Sequence, residues 1–215
     1  FNQKGGVGKS TVSANLAVAL SKLGYSVGLV DLDIYGPSMS LMFGTKERPG
    51  ANENDEFLPV TAHGVKLLSM GLLINESDPV AVRGPLATRY VQQFLRNVAW
   101  GDVDFLILDL PPGTGDIQLT IVQTAELDGV VVVTTPQPSA SDIAVRSGLV
   151  ALQVPMKVRG VVENMSYYEH KGEKLEIFGA GGGQRVSEQL TQALGYDVPL
   201  MAQLPLEPEV RETGE

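Results

Sequence analysis

Lys4-Gly5-Gly6-Val7-Gly8-Lys9-Ser10-Thr11 is the stretch whose reading decides this chain. Glycine at 5, 6 and 8 lets a backbone turn tightly and aim its N–H groups at phosphate oxygens. Behind it, the spacing of Val12, Leu16, Ala19, Leu20 and Leu23 predicts a helix over 10–23 with that face buried, and Gly24 is its left-handed stop. A helix that starts at a phosphate adds the favourable field of its N-terminus. In such a loop Gly5, Gly6, Val7 and Gly8 form the cradle, and Lys9 reaches the β- and γ-phosphates of a nucleotide. The Ser10 hydroxyl ligates Mg²⁺, and Thr11 is placed for the α-phosphate. A Gly-rich turn with chance lysines would leave the helix directly behind it unexplained.

Outward from this loop, short apolar runs alternate with helical spacing. Strands are predicted at 26–30, ending at Asp31 and Asp33, at 65–69, at 105–108, ending at Asp109, at 129–133, and at 158–162. Helices are predicted at 85–98, 117–125, 141–152 and 184–194, and residues 36–54 read as a long loop with a short helix. Continuous apolar strands alternating with helices predict an α/β fold of three layers, a doubly wound, mostly parallel sheet with helices on both faces. Right-handed crossovers gather the C-terminal strand ends on one edge, where such sheets bind ligands. Asp33, Asp109 and Asn164 each follow a strand, which puts them on the edge of the glycine loop. Asp109 is expected to hold Mg²⁺ through water, and Asp31 to cap a helix or turn.

The 215 residues, 43% hydrophobic and 19% charged, suit a single domain over 1–215, with no linker-like stretch and no internal repeat. Both ends read as truncated: only Phe1, Asn2 and Gln3 precede the loop where a strand is expected, and residues 211–215 stop in a loop or a helix start. Twenty-five acidic residues against 16 Lys plus Arg, a net charge of -9, argue against a broad nucleic-acid-binding face. No apolar run reaches the roughly 18–20 residues of a membrane span, and no leader pattern opens the chain. Cysteine is absent, so these residues offer no disulfide, thiolate nucleophile or thiolate metal site. Together these features predict a cytoplasmic protein. His63 and His170, the only histidines, fall in polar stretches and are expected to be solvated; no Ser-His-Asp arrangement competes with the phosphate loop.

The generic phosphate-loop pattern asks for Gly where Gln3 stands; the chain instead fits KGGxGK[ST], with an added lysine at Lys4. That form resembles the P-loop NTPase group of the nitrogenase iron protein, MinD and ParA. Asp33-Ile34-Tyr35-Gly36-Pro37-Ser38, Arg83-Gly84-Pro85, Asp109-Leu110-Pro111-Pro112-Gly113-Thr114-Gly115-Asp116, Thr135-Pro136-Gln137 and Val162-Glu163-Asn164-Met165-Ser166 follow one another as in Mrp/ApbC-type ATPases. Ile177-Phe178-Gly179, Gly181-Gly182-Gly183, Leu204-Pro205 and Arg211-Glu212 extend the resemblance over essentially the whole chain. It implies a homodimer with two ATP sites and slow hydrolysis, with Lys4 reaching the partner's nucleotide and Lys9 offsetting charge. It also implies that Asp33 orients or deprotonates the attacking water and belongs, with Ser10 and Asp109, to the metal site. Asn164 would read the adenine edge, with the loop around Pro205 and Glu207 near the base. The implied task is to carry iron–sulfur clusters to apoproteins or assembly factors.

One departure falls at the cluster. Mrp-type carriers place Cys-x-x-Cys between the Asn-Met-Ser and Ile-Phe-Gly segments; here that interval reads Tyr167-Tyr168-Glu169-His170-Lys171-Gly172-Glu173-Lys174-Leu175-Glu176. Glu169, His170 and Glu173 suit a hard metal better than a soft iron–sulfur centre, and the interval reads as a solvated loop. A [4Fe-4S] cluster is implied by resemblance but not supported by the residues present. The alternative function is a ParA/MinD-like positioning switch whose ATP-bound form binds DNA, membrane or a partner protein; the acidic charge and the Pro111–Asp116 segment stand against it.

Overall fold

The computed structural model describes residues 5–33, 36–73, 84–112, 121–153 and 156–213. The chain divides into two compact units. The first comprises Ser10–Pro111, Gly115–Ala125 and Thr213–Glu215; the second comprises Phe1–Lys9, Pro112–Thr114 and Glu126–Glu212.

In the first unit the strand order is β4-β5-β1-β6, from β1 (Val27–Asp31), β4 (Val60–Ala62), β5 (Val65–Ser69) and β6 (Phe105–Asp109). β1 lies parallel to both β5 and β6, and all five of its residues are buried, which its unbroken apolar run requires. The register sets Asp31 between Ser69 and Asp109. β4 adds an antiparallel edge, and β2 (Gly50–Ala51) and β3 (Phe57–Leu58) form a small ribbon. The helices are α1 (Lys9–Lys22), α2 (Met39–Met42) and α3 (Gly84–Arg96), and residues 121–124 are also helical. Residues 117–120 of the predicted 117–125 helix lie outside the described residues, and Ala125 is a bend just past its end.

Two expectations about packing fail here. Leu16 and Leu23 are 45% and 75% exposed and Ala19 is exposed; the buried side of α1 is Ala14 and Ala17, flanked by Val18 and Leu20. Apolar residues surround α1, so spacing did not select a face, and small alanines allow the closest approach to the core of Val27, Leu29, Val65 and Leu67. Phe105 and Leu106, expected to be covered on both faces, are each about two-fifths exposed, because β6 ends its strand order.

The second unit holds a parallel sheet of order β11-β8-β7, from β7 (Val130–Thr134), β8 (Val158–Glu163) and β11 (Leu200–Gln203). α4 (Pro138–Gly148) and α5 (Gly182–Leu194) pack on each other and on this sheet through Ala140, Ala144, Val186 and Leu190. α4 begins three residues before the predicted start, with Pro138 in its first turn, where a missing N–H costs nothing. β11 and α6 (Pro208–Thr213) were not predicted.

The interval expected to be a solvated loop is a hairpin of β9 (Tyr168–His170) and β10 (Glu173–Leu175). Its two-residue turn, Lys171-Gly172, has φ of 51° and 81°, the left-handed pair that suits a tight hairpin. Lysine in the first of those positions hides the turn from sequence reading. The hairpin carries Tyr168 stacked on His170 and the Lys174 ammonium over the Tyr167 ring at 4.1 Å.

Candidate phosphate and metal site

In the first unit, α1 turns Ser10 and Ser13 onto one carboxylate. Ser10 Oγ donates to Asp109 Oδ2 at 2.6 Å, and Ser13 Oγ donates to Oδ1 at 3.0 Å. The two serines are three residues apart, one helical turn, and therefore share a face. Asp109 sits at the C-terminal end of β6 and is 1% exposed. A hydroxyl and a carboxylate are hard oxygen donors of the kind Mg²⁺ takes, so the residues present fit that ion. Thr11, in the same turn of α1, is half-buried.

Asp31, opposite Asp109, is fully buried. Its Oδ2 accepts from Ser69 Oγ at 2.9 Å and from the Ser38 and Met39 N–H groups at 3.1 and 3.2 Å. Its Oδ1 accepts from the Asp33 N–H at 3.1 Å. Burial pushes the Asp31 carboxyl up to about 6; the Met39 N–H and the Ser69 hydroxyl oppose the rise, and the Asp109 charge adds to it. The Asp33 carboxylate closes its own turn by accepting the Gly36 N–H at 3.0 Å.

In the second unit, Gly6 and Gly8 take φ of 81° and 83°, which glycine alone adopts freely. Space is open where a Cβ on Gly5 or Gly6 would stand, so a ligand can approach the backbone there. At Gly8 the neighbour is protein: an added Cβ would lie 2.2 Å from Asn164 Nδ2. That amide donates to the Val7 carbonyl at 3.1 Å, while the Asn164 N–H donates to the Thr134 carbonyl at 2.8 Å. A cavity of about 210 Å³ is lined by Gly6, Val7, Thr135, Gln137, Met165 and Phe178.

The segment after β8 is fastened on its other side too. The Ser166 N–H donates to the Leu204 carbonyl, the Leu204 N–H to the Glu163 carbonyl and the Leu206 N–H to the Tyr167 carbonyl, so the half-buried Pro205 runs beside 163–167. The fully buried Glu163 carboxylate accepts from Ser166 Oγ, from the Gly183 N–H at the start of α5 and from Gln203 Nε2.

Of the predicted site residues, the structure joins Ser10 to Asp109, and Val7 and Gly8 to Asn164, with Pro205 alongside. Lys9 begins α1 and is largely buried. Asp33 is engaged with Gly36, Glu207 is exposed, and Lys4 lies outside the described residues. Sequence reading missed Ser13 and Glu163, although Ser13 stands one turn after Ser10 and Glu163 is a carboxylate closing an apolar strand. His63 is exposed in a turn, whereas His170, also exposed, ends β9 rather than lying in a loop. Among the described residues no group of three or more His, Cys, Asp or Glu is placed to hold a metal, and no helix is long and apolar enough to cross a membrane.

A family profile described as ParA, "NUBPL iron-transfer P-loop NTPase", matches residues 1–215. The chain is similar to the "Iron-sulfur cluster carrier protein" of Mycobacterium leprae, 48% identical over 99% of this chain and 55% of that protein. The protein of the same description in Bacillus subtilis is 45% identical over 94% of this chain and 56% of that protein. The chain thus spans just over half the length of these curated relatives. Among solved structures, a nucleotide-binding protein from Archaeoglobus fulgidus in complex with ADP superposes with a TM-score of 0.81 at 34% identity, covering 99% of this chain and 82% of that one. The septum site-determining protein MinD of Pyrococcus horikoshii, complexed with Mg-ADP, gives 0.68 at 23% identity over 99% and 82%, a likeness of fold alone. The expected α/β architecture of the P-loop NTPases is borne out.

Proposed function

The chain belongs to the NUBPL iron-transfer P-loop NTPases of the ParA family, and from that premise we propose that it binds Mg-ATP through residues 4–11 and hydrolyses it slowly in iron–sulfur cluster assembly or transfer. The observation that carries this reading is the 2.6 Å bond from the Ser10 hydroxyl to Asp109, which joins the phosphate-loop serine to a strand-end carboxylate 99 residues away. Glycines with left-handed φ and open approach supply backbone donors for phosphate oxygens. Ser10 and Asp109 would hold Mg²⁺, which when bound supplies positive charge to the β- and γ-oxygens. Lys9, and Lys4 across a homodimer, offset the charge that develops on the γ-phosphate. Asp33 leaves its bond to the Gly36 N–H to orient the attacking water.

The proposed partners are a second copy of this chain and apo iron–sulfur proteins or assembly factors, in the cytoplasm; the support is the description shared by the curated relatives. The cluster is cargo in this reading, and the residues here do not fit it: 215 residues without cysteine offer no thiolate. No step is therefore assigned to cluster binding by this chain.

Titration of the purified chain with Mg²⁺ and labelled ATP tests the reading. Saturation is expected, and Lys9→Ala should weaken binding at least about tenfold, the loss of a charge-assisted bond to phosphate. Absence of saturation at millimolar nucleotide refutes it. Transfer of iron to an apo-target, measured with and without ATP, tests the cluster half separately.

A further inference from the structure

Asn164 was expected to read a base, and its bonds give it another task as well. One amide hydrogen is spent on the Val7 carbonyl inside the glycine loop, from 157 residues away in sequence. The same Nδ2 stands too close to Gly8 to admit a Cβ there, so the third glycine leaves the room that the amide uses. Behind it, the Asn164 N–H is tied to Thr134, and Glu163 binds Ser166, Gly183 and Gln203. A side chain whose own backbone is fixed to two strands and a helix start is a rigid support rather than an adaptable contact.

We propose that Asn164 is a positioning residue of the phosphate loop, holding Val7 and Gly8 in their binding shape whatever base the nucleotide carries. The inference rests on the Mg-ATP reading and deepens it. A loop of consecutive glycines gains little shape from its own side chains, and a loop that must be ordered at each binding event loses affinity. The Asn164 amide supplies order from outside.

The test is calorimetric titration of the wild-type chain, Asn164→Ala and the near-isosteric Asn164→Asp with Mg-ATP, Mg-GTP and base-free Mg-tripolyphosphate. Loss of one such bond should weaken by about 3- to 10-fold every one of these ligands that the wild type binds. Weakening of Mg-ATP alone makes Asn164 a base reader and overturns the proposal, as does no weakening at all. The coupled pair Gly8→Ala and Asn164→Ala supplies a readout that a general loss of structure does not move. Removing the amide clears the space for the new methyl, so Gly8→Ala should cost at least about threefold less affinity in the Asn164→Ala background than in the wild type. Strictly additive effects overturn the proposal. A wild-type chain that binds none of the three ligands refutes the nucleotide reading beneath it instead.

Discussion

Asp31 offers a prediction whose size and sign both come from its surroundings. Its carboxyl rises from the ordinary 3.8 to about 6 because burial penalises the charge more than its four hydrogen bonds favour it. The folded chain therefore holds this proton more tightly than the unfolded chain. Between pH 4 and 6 the folded state carries more protons, so stability falls as pH rises through that window. A rise of about 2.2 pH units at ~1.36 kcal/mol each gives about 3 kcal/mol as the full span. Asp31→Asn keeps the size and an accepting oxygen but removes the titration. In urea unfolding at four pH values from 4.5 to 7.5, with EDTA and without nucleotide, the free energy of Asp31→Asn minus wild type should climb with pH. Over that range the climb should come to about 2 kcal/mol of the full span, nearly all of it below pH 7. Any constant offset from altered hydrogen bonds does not affect the slope. A flat difference, or one that falls with pH, refutes the assignment of a penalised buried carboxylate.

Two further outcomes are expected. Asp33→Ala should bind Mg-ATP within about threefold of wild type yet lose on the order of 10²-fold or more in steady-state phosphate release, as removal of a water-orienting carboxylate does; unchanged turnover would take Asp33 out of the mechanism. Gly182→Ala should lower the free energy of unfolding in urea by about 1–3 kcal/mol, since its methyl would meet the Pro136 backbone at 2.6 to 2.8 Å where nothing can rotate aside; an unchanged midpoint would show that α5 can shift.

What could be read beforehand follows from how far each cause reaches along the chain. The glycines at 6 and 8 announce themselves because their left-handed φ is a local demand. Asp109 is legible because a carboxylate closing an apolar strand contrasts with its neighbours. The buried face of α1 was not, since Leu16 and Leu23 are as apolar as the alanines that pack inward, and only the neighbouring sheet chooses between them. Lys171 concealed the hairpin by occupying a conformation that asparagine or glycine usually marks. Glu163 was passed over because two of its partners lie 20 and 40 residues downstream. A sequence does not display which of its donors will arrive beside a given acceptor.

The bond between Val7 and Asn164 also bears on how the protein is made. The glycine stretch is made before its distant partners: Asp109 follows 99 residues after Ser10, and Asn164 comes 157 residues after Val7. Contacts that distant must wait for long loops to close, and ordering them is slow compared with helix formation. Until synthesis reaches Asn164, every glycine of the loop is therefore displayed without the amide that holds Val7, and that support is the last part of the loop's setting to be made.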